Sequence, residues 1–329
     1  MIKKVLVVMV VSFVALILFQ YLNTGSPNDV EQKDNFEIIA HRGVHPHYAD
    51  EGKDVRKGNG DIVYGCEATK MLKPTHNYIE NTVEAIQAAF DYGATIVEFD
   101  IRPTKDDELV VFHDDRLECK TNRKGKVSDF TVAELKKLDV GYGYTYDNGQ
   151  TFPFRGKGVA GIKTLTEVLQ YFPDKKFLID NKNGNNIKVA QLIVKVLATL
   201  PEKQQKNIYL WTENKAYKYM RERLPSVKRL LLPREEEKKF FKSYIYRLGL
   251  MGVPKEYNDE GLGIPLKYVK YLWGWPYKFL DKVNNGGARF YLYVNNPSEY
   301  DSVSGFPMNG IVTDYIEKIN VSKQTKRRP

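Results

Sequence analysis

An irregular (β/α)8 barrel is the fold class this sequence predicts, and three observations predict it. Short apolar runs alternate with helical stretches over nearly the whole chain beyond Phe36. Alternating β and α elements build parallel sheets covered by helices. The segment is long enough for an eight-fold barrel, which takes about 250 residues. Finally, the polar residues that suggest chemistry follow strand-like runs, and such barrels keep their chemistry at the C-terminal strand ends. An open doubly wound sheet is the alternative.

The strand candidates are FEIIA, TIVEFDI, ELVVF, KFLID, NIYLW, VKRLLL, LGIP, RFYLYV and GIVTD. That is one more than a barrel needs, and proline-bearing LGIP is the weakest. Only about seven residues link IVEFDI to LVVF, too few for a crossover helix. The barrel should be irregular there. Asn81 with Glu84, Thr131 with Glu134 and Thr164 with Glu167 have the three-residue spacing of capping boxes, marking helix starts. Longer helices are expected over 187–200, 214–224 and 235–247. Residues 44–79 and 139–163 lack periodicity and read as parts of a mouth or lid above the strand ends.

The domain reading follows from composition. Lys3 and Lys4 precede an apolar run from Val5 to Leu22, interrupted by Ser12 and Gln20. As a helix it is about 27 Å long, near the ~30 Å hydrocarbon core. Residues 1–22 are therefore an N-terminal membrane anchor or a signal segment. Lysines before the run and acidic residues after it put the following domain outside the cytoplasm; cleavage would make the protein secreted. Residues 23–34 read as a linker and 35–318 as the barrel, with 44–79 an insertion at its mouth. Residues 319–329 form a basic tail holding Lys323, Lys326, Arg327 and Arg328. The net charge of +9 suits an anionic partner or a solvated basic face. No nucleic-acid motif accompanies it, so that partner is set aside. Cys66 and Cys119 are the only cysteines. In an exported protein they are a possible disulfide; otherwise they are buried thiols.

All five histidines lie between His41 and His113. His41 and His113 end strand-like runs, and each is followed by a charged residue. Glu98 and Asp100 are two apart on one strand and so share a face. Asp180 and Lys182 repeat that relation on a later strand. Glu98, Asp100 and Asp180 offer an oxygen-only site for a hard divalent cation, Ca²⁺ or Mg²⁺; Asp180 and Lys182 could equally be a simple ion pair. Histidines beside a metal suit acid–base chemistry on a phosphodiester. Arg42 and Lys182 would pair with phosphate oxygens. Glu80-Asn81-Thr82 reads as a helix cap, His45-x-His47 as a solvated loop rather than a zinc pair, and Trp273 and Trp275 as packing or mouth residues.

The order HRG, ENT, E-x-D, HD and a later acidic residue two before lysine resembles the glycerophosphodiester phosphodiesterase family. TKDDELVVFHD and GIVTD resemble two more of its segments, and the likeness runs over about residues 37–316. PTHNYIENT and LDVGYGYTYDNGQTFPFRGKG resemble a bacterial subgroup with an enlarged mouth. The resemblance implies a TIM-barrel hydrolase splitting glycerophosphodiesters into glycerol 3-phosphate and an alcohol, with a divalent cation. By motif, His41 and His113 would be catalytic, Glu98, Asp100 and Asp180 would hold the metal, and Arg42 and Lys182 would bind phosphate. The family usually has glutamate where this chain has Asp180, and Trp211-Thr212 and Leu292-Tyr293 also depart from its pattern. Two other substrates remain open on the same chemistry, a lysophospholipid and a cell-surface polymer. A non-catalytic barrel that binds a phosphorylated ligand is the reading from a different class.

Overall fold

The computed structural model describes residues 2–31, 35–49 and 66–319, without the side chains of Ile2, Gln20 and Tyr21. The basic-tail residues Lys323, Lys326, Arg327 and Arg328 lie outside the described residues, as does 50–65 of the mouth insertion.

Among the described residues nine strands form one sheet: β1 (Glu37–Ala40), β2 (Ile96–Pro103), β3 (Leu109–Val111), β4 (Phe177–Asn181), β5 (Ile208–Trp211), β6 (Lys228–Arg229), β7 (Gly261–Pro265), β8 (Arg289–Val294) and β9 (Gly310–Thr313). Eight run in the order β6-β5-β4-β2-β1-β9-β8-β7, and each neighbouring pair is parallel. A parallel bridge between Leu231 and Gly261 brings the two ends of that order together, giving a nearly closed barrel.

The surplus strand is not the one expected. LGIP is the barrel strand β7, paired along its length with β8. Its glycine content has a steric cause: a Cβ on Gly261 would lie 2.4 Å from the Leu230 carbonyl oxygen across the closing seam. LVVF is the extra strand. It turns back and pairs antiparallel with the end of β2, which is what the short link to IVEFDI permits.

Alternation along β2 divides its side chains between two cores. Ile96 joins Ile39, Leu178, Leu230, Tyr291 and Val312 inside the barrel, while Val97, Phe99 and Ile101 pack outward against the helices. Glu98 and Asp100 share the face of Ile96 and so point into the barrel. Helices expected over 187–200, 214–224 and 235–247 form as Ile187–Leu197, Asn214–Arg221 and Arg234–Tyr246. The boxes at Thr131 and Thr164 form as expected. The third helix instead takes Thr82 as its cap, with Thr82 Oγ1 accepting from the Ala85 amide.

The two unpatterned stretches do more than cover a mouth. Tyr48, Met71 and Ile79 from one pack with Val140, Tyr144 and Phe154 from the other around β3, in a small core of their own. A Cys66–Cys119 disulfide joins this unit.

At the N-terminus, Ile2–Leu22 is one continuous helix whose apolar side chains, among them Val7, Val11 and Phe19, are exposed. Among the described residues no helix is long and apolar enough to cross a membrane; the undescribed side chains fall at both ends of this one. The expected linker is partly structured. Ser26 caps a turn over Pro27–Asp29, the Lys278 amide donates to the Thr24 carbonyl, and Val30 is buried in the main core.

Candidate active site

The site residues expected from sequence, apart from the two bridged cysteines, lie at or just beyond strand ends, except Glu98 and Asp100, which sit within the long strand β2. β1 delivers His41 and Arg42, β2 delivers Glu98 and Asp100, and β4 delivers Asp180 and Lys182. His113 follows β3, and its carbonyl accepts from Arg102 Nε at 2.9 Å. Asp100 and Asp180 are register partners on adjacent strands.

Glu98, Asp100 and Asp180 can each offer an oxygen within 4.8 Å of the others'. Among the charges facing them, Lys182 Nζ stands nearest, 2.8 Å from Asp100 Oδ1 and 2.6 Å from Asp180 Oδ2. Even with the Arg42 guanidinium 3.5 Å from Asp100, the facing positive charge does not balance three carboxylates in such a pocket. Glu98 Oε1 is buried without a hydrogen-bond partner, while Oε2 accepts from the Arg42 amide at 2.8 Å. Burial, and then the neighbouring Asp100, pushes the Glu98 carboxyl well above the usual range. An orphaned carboxylate oxygen beside two other carboxylates fits a hard cation. The proposed donor set is therefore compatible with Ca²⁺ or Mg²⁺.

The two histidines are held differently. His41 Nδ1 lies 2.6 Å from Asp314 Oδ1. His41 and His45 hold the Asp314 carboxyl well below its ordinary value against the effect of burial. An ionised carboxylate only accepts, so the proton is on Nδ1 and Nε2 faces the site, 3.9 Å from Glu98 Oε2. His113 is buried, with Nδ1 2.7 Å from Asp114 Oδ1. Burial, then the positive charge of Arg42, depresses its basicity well below the usual value.

Arg42 and Asn81 both have left-handed backbones, at φ 55° and 60°. Arg42 reaches Glu67 at 2.9 Å, Glu80 at 3.4 Å and Asp100 at 3.5 Å. Behind it Lys120 is buried and pairs with Glu80, with Asp114 at 3.3 Å and with Glu67 at 3.5 Å. Asn81 donates from Nδ2 to Asp100 Oδ2 at 2.9 Å, and its Oδ1 accepts the Asp100 amide at 3.0 Å.

Sequence reading missed Glu67, Glu80, Asn81, Lys120 and Asp314. Glu80 and Asn81 were assigned to a helix cap; the structure makes them supports of Arg42 and Asp100. Asp314 ends the recognised GIVTD segment, and that was the available signal for it. His45 and His47 are buried, at 2% and 7% exposure, so the solvated-loop reading is corrected. His45 Nε2 lies 3.2 Å from Asp314 Oδ1 and His47 Nε2 lies 2.8 Å from Glu317 Oε1, so they serve different partners. Trp275 packs among Phe279, Phe290 and Phe306.

Comparison with known proteins matches residues 74–318 to the glycerophosphoryl diester phosphodiesterase family. The chain belongs to this family. The matched span starts later than the expected residue 37. A glycerophosphodiester phosphodiesterase of Caldanaerobacter subterraneus subsp. tengcongensis is 41% identical over 106 residues, 32% of this chain and 39% of that enzyme. A lysophospholipase D of Mus musculus is 33% identical over 137 residues, 40% of either chain. These alignments thus span about two fifths of either relative.

Solved structures of the family share the fold. The phosphodiesterase domain of a Mycobacterium tuberculosis protein superposes with a TM-score of 0.60 at 16% identity, over 90% of this chain and all of that one. An Oleispira antarctica phosphodiesterase, solved in complex with the product sn-glycerol-3-phosphate, gives 0.57 at 18%, over 88% of this chain and 96% of that one.

Proposed function

We propose that this phosphodiesterase-family chain hydrolyses glycerophosphodiesters to glycerol 3-phosphate and an alcohol, with a divalent cation and with His41 and His113 as acid–base pair. The observation that carries the reading is the convergence of two buried carboxylates and one half-buried one, two cationic side chains and two oriented histidines on one end of the barrel. Glu98, Asp100 and Asp180 would hold the cation, which when bound supplies positive charge to the phosphoryl oxygens. Lys182 and Arg42 add fixed positive charge on the same side. His113, kept neutral by burial, takes the proton of the attacking hydroxyl or water. His41, acting as an imidazolium whose Nδ1–H is held by Asp314, gives its Nε2 proton to the leaving alkoxide and is left as the Nδ1–H tautomer.

The test is release of glycerol 3-phosphate from glycerophosphocholine by the purified protein, with and without chelator. Turnover should require the cation and should fall to background in His41→Ala and His113→Ala. Undiminished turnover by His113→Ala would sink the assignment.

A lysophospholipid is the second substrate reading. It is supported by the relative named lysophospholipase D and by the exposed apolar helix Ile2–Leu22. We read that helix, behind Lys3 and Lys4, as an anchor or signal that carries the domain outside the cytoplasm, where a Cys66–Cys119 disulfide persists. Comparing rates on soluble and bilayer-presented substrates separates a lipid from a surface polymer or a free headgroup. Retention of the full chain in the membrane fraction after a high-salt wash tests the anchor.

A further inference from the structure

We propose a second metal site, apart from the acidic pocket, in which His47, His76 and Glu317 bind a zinc-class ion and fasten the mouth insertion to the exit of β9. Each of the three can offer one ligand atom within 4.8 Å of the others'. They come from distant points in sequence. His47 stands near the start of the 44–79 insertion, His76 near its end, and Glu317 just after the last barrel strand.

Several features make this more than a chance meeting of polar groups. The Glu317 side chain is 9% exposed. Its Oε1 faces His47 Nε2 at 2.8 Å, while its Oε2 is buried with no hydrogen-bond partner among the described residues. A buried carboxylate oxygen left without a donor costs free energy that a cation would recover. The His47 ring is fixed by stacking on Tyr315, with centroids 3.9 Å apart and planes 10° from parallel. The His76 ring meets it edge-on at 6.3 Å. Burial keeps His76 below its ordinary basicity, and a neutral imidazole is the ligating form. The Tyr78 amide approaches His76 Nδ1 at 3.2 Å. That long contact is one the ion would have to share or displace.

Donor chemistry selects the ion. Two imidazoles and one carboxylate suit Zn²⁺, with a fourth position left for water, whereas the all-oxygen pocket suits Ca²⁺ or Mg²⁺. The two places are distinct, since they share no ligand residue. The ion would tie both ends of the insertion to β9, so its role is to hold the mouth in place.

The experiment uses the full chain, stripped of metal and titrated calorimetrically with Zn²⁺. One equivalent should bind at micromolar or tighter affinity. His76→Ala and Glu317→Gln should each weaken that step at least tenfold, while Asp180→Asn, which alters only the acidic pocket, should retain it. Bound Co²⁺ should give the intense visible bands of a four-coordinate ion in the wild type. That reading stands even where a variant fails to fold. Absence of saturable Zn²⁺ binding, weak six-coordinate cobalt bands, or loss of the tight step in Asp180→Asn alone would overturn the proposal.

Discussion

Replacing His45 with glutamine turns the electrostatics behind the site into a measurement. His45 is 2% exposed, and both ring nitrogens face acceptors: Nε2 the Asp314 carboxylate at 3.2 Å and Nδ1 the Pro46 carbonyl at 2.8 Å. That geometry calls for two N–H groups, which only the imidazolium has. Burial works against the charge, but the hydrogen bond and charge of Asp314 outweigh it and lift the pKa from 6.5 to about 9. A pKa raised on folding gives stability that is complete below pH 6.5 and lost as pH rises through 9. At about 1.4 kcal/mol per unit, the shift is worth about 3 kcal/mol. Glutamine keeps a donor for Asp314 and does not titrate. In thermal melts across that window the advantage of the wild type over His45→Gln should narrow as pH rises. For a chain of this size the narrowing is about 6–12 °C. A gap that stays constant or widens with pH would refute the assignment of His45 as a buried cation.

Four other outcomes are expected. Asp314→Asn should lower kcat by roughly 10²–10⁴ with little change in KM, because an amide no longer fixes the Nδ1–H tautomer of His41; steady-state kinetics will show which constant moves. Lys120→Met should destabilise by about 3–5 kcal/mol in denaturant unfolding, since it leaves Glu80 buried without its main cation. Glu237 is buried, and burial raises its carboxyl to about 8 against the hydrogen bond from the Gly263 amide. Its stabilising contribution is complete below 4.5 and lost towards 8. Glu237→Gln should therefore gain on the wild type by up to about 4 kcal/mol over that range, read as a pH-dependent gap in melting temperature. Finally, chelation should abolish hydrolysis, and restoration by Ca²⁺ or Mg²⁺ in separate assays will identify the ion that suits the Asp180 site.

What could be read in the sequence was whatever depends on short-range pattern. Alternation put Glu98 and Asp100 on one face, and the apolar residues on the opposite face of β2 required a covered strand. Thr131 and Thr164 cap helices because the box needs only residues three apart. The same rule failed at Asn81. Both Asn81 and Thr82 are cap formers, and the spacing to Glu84 favoured the wrong one. The left-handed turn at Asn81 is set by Asp100, a contact across 19 residues of sequence. Lys120 was invisible for a related reason. A buried lysine needs acidic partners, and its partner Glu80 is 40 residues away. LGIP looked weak because of its proline, yet Pro265 is the last residue of β7 and stays in register with Tyr293.

The HRG and ENT turns owe their form to the carboxylates they hold. A non-glycine residue in the left-handed region costs about 1–3 kcal/mol, less for asparagine, so two of them beside one pocket need compensation. It is present. The left-handed turn at Arg42 aims its amide at Glu98 Oε2, and the Arg42 carbonyl accepts the Asn81 amide at 3.1 Å. Asn81 in turn holds Asp100 through two hydrogen bonds. Gly43 follows because a Cβ there would lie 2.8 Å from the Ala85 carbonyl, where the helix capped by Thr82 passes. The two turns thus lock each other, and each fixes one carboxylate. Glu98 and Asp100 are held close together despite their mutual repulsion by the hydrogen bonds of these two turns. A cation arriving at such a pocket meets ligands already oriented, so little of its binding free energy is spent on ordering them.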